Sequence, residues 1–302
     1  MLRLLCALTL ALSLAACTGG GFSLPAVTSG PASDLPGKIV WRDLLTDTPE
    51  ATRTFYRELF GWEFQALGIG VNYELILHEG RPIGGLVDQA QLPSQADISQ
   101  WVVVMAVSDI DVATAAVNAA GGKVLTPPAS LGERGEIAVI ADNQDALLAL
   151  LQTPGGEPLD TDATPAVGGF LWDELWTADT AAAARFYSNL APFAVDPIDL
   201  DEQGAEFDYQ LLLSEDRPRA GIRPRPAADL PPTWVSFLRI ADGEALRAVL
   251  ARVPELGGEI LVPATPRPGG GEVAIITGPS GAGIALQTWS EDRGPVGLGG
   301  DA

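Results

Sequence analysis

Val40-Trp41-Arg42-Asp43-Leu44-Leu45-Thr46 is written a second time as Leu171-Trp172-Asp173-Glu174-Leu175-Trp176-Thr177. The echo continues downstream. Phe55-Tyr56 returns as Phe186-Tyr187, Trp101 as Trp234, Gly121-Gly122 as Gly257-Gly258, and Gly135-Glu136-Ile137-Ala138 as Gly271-Glu272-Val273-Ala274. The offset drifts only from 131 to 136 residues, so insertions are few and both copies should adopt one fold. With 47% apolar residues in 302, the chain is long enough for two domains that each bury a core of their own.

Within the first copy, a strand-like run from Lys38 to Leu45 precedes a helical stretch from Pro49 to Phe60. There Ala51, Phe55, Tyr56 and Leu59 share one face, and Pro49 suits the first turn, where its missing N–H is not needed. Short strands are expected at Glu63–Leu67, Tyr73–Leu77 and Pro82–Val87. The order then repeats, with a strand from Trp101 to Val107, a helix from Ile110 to Ala120, and strands near Val124, at Ile137–Ala141 and at Ala146–Gln152. Each copy is therefore a βαβββ unit used twice, an α+β architecture.

This unit, together with the pattern W-x-D-L-x-T-D-x-x-x-A-x-x-F-Y-x-x-L-F-G-W at Trp41 to Trp62, resembles the vicinal oxygen chelate superfamily of glyoxalases, bleomycin-resistance proteins and extradiol dioxygenases. The second copy departs at the helix exit, where Phe60-Gly61-Trp62 becomes Ala191-Pro192-Phe193. The resemblance implies two tandem glyoxalase-like domains. In each, paired βαβββ units would curl into a cup-shaped sheet whose concave face holds the ligand or metal. It also implies His, Gln or Glu on the first strand of each half and Glu on the last, converging on one divalent ion. Here those places carry Trp41, Val102 and Ala149 in one copy and Trp172, Val235 and Ala285 in the other, which offer no metal donors. The single histidine, His78, precedes a turn and is expected at the surface. No metal and no cofactor is expected.

What the cups hold instead follows from alternation along the first strand, which puts Trp41, Asp43 and Leu45 on one face and Trp172, Glu174 and Trp176 on the matching face. Trp101 and Trp234, beside the empty metal positions, complete the candidate pocket residues. A π-face beside a carboxylate suits a flat aromatic or cationic small molecule. Alternatively the tryptophans fill the cups as core and the protein is a scaffold. A third reading is a glyoxalase-, hydroxylase- or dioxygenase-like enzyme that uses Asp43 and Glu174 as acid and base.

At the start of the chain, Arg3, the apolar run Leu4 to Leu14 and Leu14-Ala15-Ala16-Cys17 resemble the signal peptide and lipobox of bacterial lipoproteins, with Cys17 as the acylated residue. Localisation at the bacterial envelope, anchored through Cys17, is the expectation. The formal charge of −21 argues against a nucleic-acid partner. The expected organisation is a signal peptide (1–16), a lipidated cysteine with a flexible Gly/Ser/Pro tether (17–37), domain one (38–153), a linker (154–167), domain two (168–290) and a frayed tail (291–302).

Overall fold

The computed structural model describes residues 23–68, 73–91, 97–199, 208–267 and 270–289. The signal peptide, Cys17 and the tail lie outside these residues. The chain opens with a two-residue strand β1 (Ala32–Ser33) and then builds four βαβββ units. The first has β2 (Ile39–Thr46), α1 (Pro49–Phe60), β3 (Glu63–Ala66), β4 (Tyr73–His78) and β5 (Arg81–Asp88). The second has β6 (Gln100–Ala106), α2 (Ile110–Ala119), β7 (Lys123–Ser130), β8 (Glu136–Ala141) and β9 (Leu147–Gln152). After β10 (Glu157–Pro158), the third has β11 (Phe170–Thr177), α3 (Thr180–Ser188), β12 (Ala194–Asp199), β13 (Asp208–Ser214) and β14 (Arg217–Pro224). The fourth has β15 (Thr233–Ile240), α4 (Gly243–Arg252), β16 (Glu259–Pro266), β17 (Glu272–Thr277) and β18 (Gly283–Thr288).

Units one and two form one eight-stranded sheet, β3-β4-β5-β2-β6-β9-β8-β7, and units three and four form its copy, β12-β13-β14-β11-β15-β18-β17-β16. Each is joined at the middle by an antiparallel pair of first strands, β2 with β6 and β11 with β15. The helices start where local chemistry starts them. Pro49 opens α1, and Asp109, Asp179 and Asp242 cap α2, α3 and α4 by accepting from the backbone N–H three residues on.

Each copy buries a cluster of its own on one face of its sheet, but on the helix side the copies do not bury the separate cores that their sequence duplication suggested. On the helix side of the sheets, α2 residues Ile110, Ala113 and Val117 share one buried cluster with Ala183, Phe186 and Tyr187 of α3 and with Leu212 and Ile222 of the second sheet. Phe55 and Tyr56 of α1 share the other with Leu246 and Leu250 of α4. Unit two thus packs on unit three, and unit one on unit four. The repeated glycines explain themselves at this contact. A Cβ on Gly258 would stand 2.6 Å from the ring of Phe55, and one on Gly122 would stand 2.8 Å from the ring of Phe186. Each glycine admits the helix phenylalanine of the other copy.

A buried ion pair crosses the same interface. Arg42 on β2 donates from Nε to Asp173 Oδ1 at 3.0 Å and from Nη2 to Oδ2, and its guanidinium lies 4.3 Å from the centre of the Phe170 ring. Ser236 also donates to Asp173, at 2.6 Å.

Residues 23–37, expected to be tether, are largely exposed but are pinned at several points. Leu24 and Leu35 are buried, and β1 pairs with β10. The stretch 154–167, expected to link the domains loosely, is also tied down. Asp160 bridges Lys38 (2.9 Å) and Arg219 (2.6 Å), and Pro165 accepts from Arg239 at 2.7 Å. His78 is half-buried, not free at the surface, with Nε2 2.8 Å from the Val167 carbonyl. No helix among the described residues is long and apolar enough to cross a membrane.

Candidate functional site

Because side chains alternate along a strand, each sheet has a second face, turned away from the helices. In the first sheet this face carries Trp41, Leu45, Tyr73, Leu75, Val102, Val104, Val139, Ala149 and Leu151. In the second it carries Trp172, Trp176, Val235, Phe237, Val273, Ile275 and Ala285. Trp41, Val102 and Ala149, and their counterparts Trp172, Val235 and Ala285, therefore lie together on this face of each sheet. Indole, isopropyl and methyl groups hold no divalent ion, and among the described residues no three of His, Cys, Asp and Glu gather at any metal-sized site. The residues present do not fit the metal that the fold implies.

Trp101 and Trp234 are not pocket residues. A neighbour of a cup-facing valine must point the other way, and both indoles lie on the helix side, donating to Tyr56 and Tyr187 hydroxyls at 3.0 Å each. Trp101 also packs edge-on to Trp62 and Phe170 in the inter-copy core.

In the first cup, Asp43 sits at the centre of a hydrogen-bonded cluster. Its Oδ1 accepts from Tyr73 Oη at 2.6 Å and from Trp41 Nε1 at 3.0 Å, and Trp41 Nε1 also reaches Tyr73 Oη at 2.7 Å. Arg134, from the hairpin between β7 and β8, donates to Tyr73 Oη at 2.8 Å and stacks 4.1 Å from the centre of Trp41. Burial raises the Asp43 carboxyl above the ordinary aspartate range, opposed by the Arg134 charge and by the Tyr73 and Trp41 hydrogen bonds. Burial, and then the neighbouring Asp43 charge, push the Tyr73 phenol well up.

The second cup repeats the design with altered parts. Trp172 Nε1 donates to Tyr209 Oη at 3.0 Å, Tyr209 donates to Glu174 Oε1 at 3.1 Å, and Trp176 Nε1 donates to Glu174 Oε2 at 3.3 Å. Arg267, from the hairpin between β16 and β17, pairs directly with the fully buried Glu174. Burial, followed by the Glu174 charge, drives the Tyr209 phenol well up. Glycine makes room for each tyrosine. A Cβ on Gly85 would lie 2.0 Å from Tyr73 Oη, and one on Gly221 would lie 1.9 Å from Tyr209 Oη.

The carboxylate, tyrosine, arginine and tryptophan of each cup thus form one hydrogen-bonded network, with a direct ion pair in the second cup. Tyr73, Tyr209, Gly85 and Gly221 were missed from sequence although each pair is separated by the duplication's own offset of 136 residues. The two cups differ in closure. Trp41 is 3% exposed beneath Leu24 and Leu131, whereas Trp172 is only partly buried.

The backbone order of this double sheet matches solved structures across most of its length. A Mn(II)-bound glyoxalase from Novosphingobium aromaticivorans superposes with a TM-score of 0.56 over 85% of this chain and 83% of its own, at 18% identity. Homoprotocatechuate 2,3-dioxygenase from Arthrobacter globiformis gives 0.57 over 87% and 82%, at 13% identity. The chain has the tandem fold of the vicinal oxygen chelate superfamily. Among curated relatives, a Mycobacterium tuberculosis protein provisionally named glyoxylase CFP32 is 24% identical over 245 residues, 80% of this chain and 91% of that protein. The Streptomyces peucetius anthracycline biosynthesis protein DnrV is 29% identical over 273 residues, 83% and 93% of the two chains. No protein-family model matches the sequence. The chain keeps this fold and carries apolar side chains where the resemblance implies metal donors.

Proposed function

We propose that the protein is an envelope lipoprotein, held through Cys17, that binds a flat aromatic small molecule in its second cup without a metal. The observation that supports this reading is Trp172, a partly exposed indole beside Trp176, Tyr209 and the Glu174–Arg267 pair. Because Arg267 already neutralises Glu174, and Arg134 lies within Coulombic reach of Asp43, a cationic ligand would have to compete with a guanidinium at either carboxylate. A neutral or anionic aromatic would not. The relatives named for anthracycline biosynthesis fit this class, since anthracyclines are fused-ring aromatics.

Titration with anthraquinone-2-sulfonate, followed by tryptophan quenching and thermal shift, tests the reading. One molecule per chain is expected, with loss of binding in Trp172→Ala. An unshifted wild type, or unchanged binding in Trp172→Ala, would refute it. The anchor is tested separately, since Cys17→Ser should move the protein from the membrane fraction to the soluble one.

A further inference from the structure

The first cup is closed by the chain itself. Leu24 is 3% exposed within the cluster that contains Trp41, Tyr73 and Leu131. Its amide donates to the Leu131 carbonyl at 2.8 Å, the Glu133 amide donates to Ser23 Oγ at 3.0 Å, and Arg134 Nε donates to the Pro25 carbonyl at 3.0 Å. Beyond Pro25 the packing loosens. Residues 26 to 30 and Ala32 line a half-open cavity of about 200 Å³ together with Glu133, Arg134 and the turn Thr153 to Gly156. Val27, which packs on the cluster around Trp41, and Arg134, which stacks on Trp41, both also line this cavity, so withdrawal of Leu24 would open that cluster next to it.

The arginine of this cup shows what the segment displaces. In the second cup Arg267 bonds the carboxylate itself. In the first, Arg134 spends its Nε on Pro25 and its Nη1 on Tyr73, and its buried Nη2 has no hydrogen-bond partner among the described residues. An orphaned guanidinium N–H in a residue two per cent exposed is costly to keep, and among the described residues Arg134 acts on Asp43 by charge without the direct pair that Arg267 makes with Glu174. The segment is thus held by Leu24, Val27 and a few hydrogen bonds, beside a half-open cavity, and it takes up a donor of the arginine whose counterpart pairs with the carboxylate.

We propose that the first cup is a second, latent aromatic-ligand site whose present occupant is the chain's own segment 23–30, with Leu24 as the plug. This rests on the second cup being a ligand site, but its test is separable. Full-length chain with Leu24→Asp, and with Leu24→Gly as a milder variant, is compared with wild type by hydrogen exchange and by anthraquinone-2-sulfonate titration. Exchange at residues 23–30 should rise at least tenfold while β2 and β6 stay protected, and the number of probe molecules bound should rise by one per chain. Adding Trp41→Ala should abolish the added site alone. Release of the segment with no added site overturns the proposal. So does a segment that stays protected in both variants, or one that exchanges only together with the whole first sheet. If wild type binds no probe, the second-cup reading fails alone, and a rise from none to one in Leu24→Asp still supports the latent site.

Discussion

Alanine at Trp41 and at Trp172 should have unequal effects, although the two residues are the same position written twice. Trp41 is 3% exposed, lies 4.1 Å beneath the Arg134 guanidinium, and donates to both Tyr73 and Asp43. Truncating so buried an aromatic should destabilise the fold by about 3–5 kcal/mol. At roughly 2–4 °C per kcal/mol for a chain of this size class, that lowers Tm by about 6–20 °C. Trp172 keeps part of its surface in water and has a single hydrogen bond, to Tyr209. Its loss should be nearer about 1–2 kcal/mol. Urea unfolding followed by circular dichroism measures both, and probe titration of the same samples separates packing from binding. Equal losses, or a larger loss for Trp172→Ala, would refute the argument that one cup is core and the other a pocket.

Other outcomes follow from the same geometry. Asp160, bonded by Arg219 and then Lys38, is held down to about 2 from the ordinary 3.8. Its lowered value means that its stabilisation is full above about pH 4 and is lost as pH falls toward 2, a loss of about 1 kcal/mol after allowance for its partial exposure. Asp160→Asn should flatten acid unfolding curves in that window. Arg42→Met should destabilise by about 3–5 kcal/mol by stranding the buried Asp173 charge, and adding Asp173→Leu should restore most of it, as a chemical-denaturation cycle would show. Residues 38–153 expressed alone should fail to give a cooperative thermal transition, because Phe55 and Tyr56 would lose Leu246 and Leu250.

Much of this was legible because the chain states it twice. The helix Pro49–Phe60 was read to its last residue, and the cup-facing set Trp41, Asp43, Trp172, Glu174 and Trp176 came from period-two alternation on one strand, checked by its repeat. Closeness in sequence to Val102 and Val235 misleads for Trp101 and Trp234, because alternation turns each indole to the opposite face of its strand. Arg134 and Arg267 were hidden by the insertion in their hairpin. Aligning Gly135-Glu136 with Gly271-Glu272 sets Arg134 opposite Gly270, three residues from its functional partner. The packing of 23–37 left no periodic trace, since Leu24 is one anchor amid Pro, Ser and Gly, whose composition reads as tether. The exchange of core between copies is a tertiary choice, invisible to a pattern that repeats identically in both.

The Arg42–Asp173 bridge joins two positions related by the duplication itself, residues 131 apart that match each other in the two copies. Two identical chains meeting about a twofold axis would set like against like there, arginine facing arginine or aspartate facing aspartate. Opposite charges can meet at that point only when the two halves are free to mutate independently, which covalent fusion permits and symmetry forbids. The bridge is therefore a mark of symmetry already broken at the axis. The same freedom let one cup fill while the other kept an indole at its mouth.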